Sequence, residues 1–189
     1  MLNKQEFNNI RKELKSYDAQ REALIKKARE VLKLSKRLIY SVHRNNLNES
    51  NSLFKEAKKS KADIDKIAKK HKKLAYEGSY SDAMQEYAEA ICYYSFIKQN
   101  KIPLRKDIGV STKDYLLGIC DLSGELVRKA VSLAVKRKYK EVEKIKTIIE
   151  EIYNEFLKFD LRNSMLRKKS DSIKYNLKRI EEVVYDIRK

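Results

Sequence analysis

The chain has 189 residues and a mass of 22.3 kDa, with 44 Lys and Arg against 27 Asp and Glu, a formal net charge of +17. Hydrophobic residues supply 42% of it, enough for a packed core, but only 4 Gly and 1 Pro are present. That is too little turn chemistry for a β-sandwich, a barrel, or a Rossmann-type or TIM-type fold. The expectation is an all-α bundle of six to seven helices, one domain over 1–189.

The elements follow from the apolar spacing in chain order. Phe7, Ile10, Leu14, Tyr17, Leu24, Ala28, Val31, Leu38 and Val42 recur at three- and four-residue steps, interrupted at Arg21 and Ser35. This predicts an N-terminal helix of roughly 40 residues, about 60 Å long at ~1.5 Å per residue. Such a stripe exceeds what a compact six-helix monomer covers, which points to self-association. NNLNESN at 45–51 is the first break, and a lysine-rich helix is predicted from about Ser52 to Leu74, with Leu53, Ala57, Ile64, Ile67 and Leu74 inward. The chain turns near Gly78. Ser79 or Ser81 then caps a third helix to about Gln99, with Met84, Tyr87, Ala88 and Ile91 on its core side. NKIPLRKDIGV (100–110) is the longest expected loop. Ser111 caps a fourth helix with Asp114 three residues later, the pattern hesitates at Lys136–Lys138, and a fifth helix runs to about Phe159. Asn163 or Ser164 opens a last helix through Leu166, Ile173, Leu177, Ile180, Val184 and Ile187.

Apolar stretches such as Tyr115 to Cys120 are far too short to span a bilayer, and MLNKQEFNNIRKEL lacks the apolar run of a signal peptide. Cys92 and Cys120 form no CxxC pair and read as small buried thiols. A cytoplasmic protein with no membrane partner is expected. A pI near 9.7 favours polyanions, nucleic acid first.

Against that basic background, four carboxylates stand out. Glu86 and Glu89 lie three apart on the third helix; Asp121 and Glu125 lie four apart on the fourth. Each pair shares a helix face, where like charges oppose each other. Both sit in the least charged helices of the chain, so something must offset them: lysines, protons or a metal. Gly118 and Gly124 fall on the same stripe as Asp121, Glu125 and Arg128, and glycine there permits close approach of a backbone or a ligand. Hard oxygen donors without histidine suit Mg²⁺ or Mn²⁺, and one or two such ions serve phosphodiester hydrolysis. Solvated faces or salt bridges to Lys and Arg are the competing reading of the same spacing.

The sequence resembles the translin / translin-associated factor X (TRAX) family over nearly the whole chain, and four segments carry the resemblance. SKRLIYSVHR (35–44) is similar to the end of that family's long first helix. QEYAEAICYYSFIK (85–98) and DYLLGICDLSGELVR (114–128) resemble the acidic segments of TRAX, and LRNSMLRKKSDSIKYNLKRIEEVVYD (161–186) resembles the C-terminal helix of translin. The resemblance implies hollow all-helical octamers that bind single-stranded RNA and DNA, with active sites facing inward. It also implies that Glu86, Glu89, Asp121 and Glu125 match the metal-dependent endoribonuclease site of TRAX, with Mg²⁺ or Mn²⁺ as cofactor. A TRAX-like acid set beside a translin-like C-terminal helix fits a single-subunit homologue of archaeal type.

Candidate phosphate contacts are Lys69, Lys70, Lys72 and Lys73 in the lysine cluster at 58–73, and Arg167 and Lys168 in a second basic cluster that also holds Arg162 and Lys169; solvated surface competes for both. Arg128 either contacts the scissile phosphate or pairs with Glu125. Tyr93 and Tyr94 are the stacking candidates for unpaired bases. His43 and His71 lack partners at ligand spacing and read as structural or surface residues. No Walker loop, GxGxxG, HExxH or GxSxG occurs. Two functions lead: a homo-oligomeric nuclease acting on single-stranded RNA, or a non-catalytic single-stranded DNA/RNA binder. A purely structural bundle ranks below both.

Overall fold

A computed structural model describes residues 2–162 and 164–189. They form seven α-helices: α1 (Lys4–His43), α2 (Leu47–Ala68), α3 (Gly78–Gln99), α4 (Arg105–Ile108), α5 (Thr112–Val135), α6 (Tyr139–Leu157) and α7 (Met165–Ile187), with a 3₁₀ turn at Lys72–Tyr76. No strand occurs among the described residues, and no helix there is long and apolar enough to cross a membrane.

Local capping chemistry sets the boundaries. Asn3 caps α1 by accepting a hydrogen bond from the Glu6 N–H. The break after α1 is shorter than the expected 45–51. Asn45 turns the chain with a left-handed φ of 57°, and Asn46 accepts from the Glu49 N–H while its amide donates to the Glu49 carboxylate, so α2 begins at Leu47 rather than Ser52. α2 also stops early, at Ala68, and Leu74 reaches the core from the 3₁₀ turn instead. Neither Ser79 nor Ser81 caps α3, whose N-cap is Glu77; the Ser81 hydroxyl donates to Asp114. The expected 100–110 loop contains the single turn of α4. Ser111 caps α5 as expected, accepting from the Asp114 N–H and donating to its carboxylate. Arg137, at φ 56°, separates α5 from α6, and Ser164 caps α7; the alternative cap, Asn163, lies outside the described residues.

α1 packs on α2 and α3, α3 on α5, and α5 on α6 and α7, which also pack on each other. The α3–α5 contact therefore joins the two groups of helices. Gly118 of α5 lies in this contact: a Cβ there would lie 2.9 Å from the Cβ of Ala88, 2.9 Å from the carbonyl oxygen of Gln85 and 2.9 Å from the amide nitrogen of Glu89. Only a glycine lets the backbones come so close. Behind this contact Leu24, Leu38, Leu53, Ile64, Met84, Tyr87, Leu122, Leu126, Ile149, Ile173 and Ile180 belong to one continuous buried cluster. Lys61, from the lysine-rich stretch, is buried as well, donating to the Gly109 carbonyl and to Asp65, both at 2.6 Å. Lys129 of α5 is buried beneath the end of α1, donating to the Val42 carbonyl at 3.3 Å and to Asn45 at 2.7 Å.

The N-terminal end of α1 extends past this core. Phe7, Ile10 and Leu14 remain 43%, 41% and 57% exposed, and the first fully buried stripe residue is Leu24. A helix end with an uncovered apolar stripe is not stabilised by the monomer's own packing.

Gly118→Ala is expected to lower stability by about 1–3 kcal/mol, the usual penalty for forcing an extra methyl into a packed contact. Gly124→Ala meets only the Asn176 amide, at 3.7 Å, and should be neutral or stabilising. Thermal denaturation of both variants checks the contrast; equal midpoints would contradict the close-approach account.

Candidate functional site

Because α3 and α5 cross so tightly, both acidic pairs turn toward one cleft. Its 380 Å³ is lined by Gln85, Glu86 and Glu89 from α3, Cys120, Asp121, Gly124 and Glu125 from α5, and Lys169, Ser172 and Asn176 from α7. All four acids singled out in the sequence are thus brought together.

Three of them have basic partners. Glu86 lies 3.6 Å from the Lys36 ammonium of α1. Asp121 is paired with the Lys169 ammonium and accepts a 2.7 Å hydrogen bond from the Gln85 amide. Glu125 is bonded to His43 Nε2 and lies 3.7 Å from the Arg128 guanidinium. Glu89 is only 7% exposed, and no side chain among the described residues donates to it. Burial first, then repulsion from Asp121, Glu86 and Glu125, pushes its carboxyl up to about 9. Burial also raises the Glu86 carboxyl, against the opposing pull of Lys36. The Cys120 thiol is pushed up to about 12 by burial and stays unreactive.

Three carboxylates around a buried fourth that has no basic partner among the described residues form a donor set that fits a hard divalent cation. In the present side-chain arrangement no three His, Cys, Asp or Glu groups among the described residues are close enough to share an ion, so binding one entails rotation of carboxylates now turned toward Lys36, Lys169 and His43.

The other candidates are distributed unevenly. Arg128 is exposed beside Glu125 and lies over the Tyr40 ring at 5.3 Å. Lys69, Lys70, Lys72 and Lys73 are exposed in the turn after α2 and do not line the cleft. Arg167 is paired with Asp171 at 3.4 Å, and Lys168 is exposed; their neighbour Lys169 is the residue of that cluster that enters the cleft. Tyr93 and Tyr94 are buried and cannot stack on a base: the first bonds to His43, the second donates to Asn51 while its ring stacks on Phe54. Tyr93, four residues after Glu89 and seven after Glu86, shares the helix face of the acids but is buried there against His43, whereas Tyr94 turns aside toward α2. Sequence reasoning missed His43, Lys36, Gln85 and Asn176, which approach the acids only through tertiary packing and carry no spacing signal.

The family model described as the Translin family matches residues 19–188. Translin of Gallus gallus is 43% identical over 75 residues, 40% of this chain and 33% of that protein, so the match spans about a third of that relative's length. An uncharacterised protein of Methanocaldococcus jannaschii is 28% identical over 176 residues, 88% of this chain and 75% of that one. Among solved structures, apo-NeC3PO is similar at a TM-score of 0.90 and 28% identity, covering 99% of this chain and 98% of that chain. AfC3PO in complex with duplex RNA is similar at 0.82 and 26%, covering 97% and 96%.

The raised Glu89 carboxyl makes a signed prediction. The folded state holds this proton up to about pH 9, whereas an unfolded carboxyl releases it near pH 4.3. Stability contributed by the protonated form is therefore full in acid and is lost progressively as pH rises through that window. Glu89→Gln, which is neutral at every pH, should raise the metal-free melting temperature at pH 8 by on the order of 5 °C and leave it unchanged at pH 4. Parallel melting curves across pH would contradict the assignment.

Proposed function

The chain belongs to the translin family, and on that premise we propose that it is a nucleic-acid-binding, metal-dependent endoribonuclease that cleaves single-stranded RNA in the cytoplasm. It binds single-stranded RNA and DNA and works as a homo-oligomeric shell, an octamer. The observation that carries the reading is the buried, unpaired Glu89 surrounded by Glu86, Asp121 and Glu125 in a chain whose net charge is otherwise +17. A strongly basic protein has no evident use for such a cleft as a phosphate-binding surface, because bare acids repel phosphate; a bound cation reverses the sign. The likeness to AfC3PO, whose complex contains duplex RNA, supports RNA as the ligand class.

Glu86, Glu89, Asp121 and Glu125 would hold Mg²⁺ or Mn²⁺, which when bound lowers the pKa of water and offsets charge on the phosphodiester. Arg128, exposed beside Glu125, is placed to meet a phosphate oxygen at the rim. Lys169 bridges the cleft to the Arg167–Lys168 surface of α7. Lys69, Lys70, Lys72 and Lys73 serve as more distant phosphate contacts, giving salt-dependent affinity. The exposed Phe7, Ile10 and Leu14 stripe is the apolar surface available for assembly.

One observation favours the second reading, a non-catalytic single-stranded DNA/RNA binder: Glu86, Asp121 and Glu125 each already have a basic partner. Cleavage decides between them. With Mg²⁺ or Mn²⁺ the protein should cut unstructured RNA, stop with EDTA, and lose about 100-fold or more in rate in Glu125→Ala, a loss of several kcal/mol of transition-state stabilisation, while still retaining RNA on a filter. Retention with no metal-dependent cleavage selects the binder. For assembly, light scattering should give a mass near eight chains, and Phe7→Glu combined with Leu14→Glu should reduce it; a monomeric parent chain would sink the shell.

A further inference from the structure

We propose that His43 is a positioning residue for the cleft: it aims the Glu125 carboxylate, and Tyr93 sets which of its ring nitrogens does so. The inference rests on the reading of Glu125 as a cation ligand. His43 stands in the last turn of α1, 82 positions from Glu125 in sequence, and the two meet through His43 Nε2. On the far side of the ring, the Tyr93 hydroxyl lies 3.1 Å from His43 Nδ1, and the two rings pack at 4.9 Å with a tilt of 36°. Helices α1, α3 and α5 thus each contribute one member of a chain running from the core to the cleft.

The order of hydrogens along this chain follows from the donors present. Burial raises the Tyr93 pKa, so its hydroxyl stays protonated, and Nδ1 is its one hydrogen-bond partner among the described residues. The hydroxyl therefore donates to Nδ1. The ring's hydrogen sits on Nε2 and is donated to Glu125. Glu125's other partner, Arg128, is a longer contact at 3.7 Å from a side chain 54% exposed, whereas the His43 side chain is 10% exposed and locked between helices. Outer partners of this kind orient a ligating carboxylate.

Manganese binding to the full-length protein without RNA, followed by electron paramagnetic resonance, is the test, with steady-state cleavage beside it. His43→Ala should weaken Mn²⁺ affinity 10–100-fold and lower kcat while leaving KM for RNA unchanged. His43→Gln, which restores an N–H near Nε2, should recover most of the loss, and Tyr93→Phe should fall between. Parent-like Mn²⁺ affinity in His43→Ala, with Glu125→Ala weakened, overturns this inference and leaves the proposed function intact. Absence of Mn²⁺ binding by the parent chain overturns both. Should His43→Ala not fold, Tyr93→Phe decides, since it removes a single hydroxyl: unchanged affinity there also overturns the role.

Discussion

The close approach of α3 and α5 at Gly118 is the constraint on which the rest depends. Each acidic pair is legible on its own helix, but a cleft exists only because two backbones come near enough for both pairs to face it. With a methyl at Gly118 the helices would have to separate against Ala88 and the Gln85–Glu89 backbone, and Asp121 would move away from Gln85, its hydrogen-bond donor across the crossing. Glycine in the middle of a helix costs about 1 kcal/mol of helix propensity, so its presence at this contact is itself a sign that proximity matters more here than helix stability. Gly124, six residues on, is less constrained: it lines the cleft, and a Cβ there would meet only the Asn176 amide, at 3.7 Å.

The same crossing explains the electrostatics. Glu89 is largely buried at the cleft wall, while the more exposed Glu86, Asp121 and Glu125 find Lys36, Lys169 and His43. Two helices outside the α3–α5 pair thus supply the partners: α1 through Lys36 and His43, and α7 through Lys169. A buried carboxyl whose pKa is raised, set among three further carboxyl groups, is an arrangement that folding alone does not favour. Perturbed groups of this kind concentrate at functional sites, and this is the physical content behind reading the cleft as more than a set of surface salt bridges.

Charge is divided spatially in a consistent way. Lysines from the α2 region that sequence reasoning grouped together separate into two kinds: Lys61 is buried and holds the Gly109 turn, while Lys69 to Lys73 stay in water. The long α1 shows a similar split along its length. Its C-terminal half is core, and ends at the cleft; its start carries the exposed Phe7, Ile10 and Leu14, and packing against the rest of the chain begins at Tyr17, which donates to Glu77. One helix therefore connects the free apolar surface to the acid cluster, some 36 residues apart between Phe7 and His43.

What the sequence by itself determined is local. Helix periodicity, the Ser111–Asp114 cap, the pairing of Glu86 with Glu89 and of Asp121 with Glu125, and the outlying glycines are all relations within one or two turns, where geometry follows from 3.6 residues per turn. Boundaries depending on side-chain reciprocity were partly readable; the Asn46–Glu49 cap and the shortened α2 were not. What only the tertiary structure decided is which faces meet. His43 and Glu125 are 82 positions apart, Lys169 and Asp121 are 48 apart, and Tyr93 turned inward because α3 buries both of its flanks between α1 and α5. No spacing rule encodes such contacts, since they arise from packing whole helices against one another rather than from the repeat of any single one.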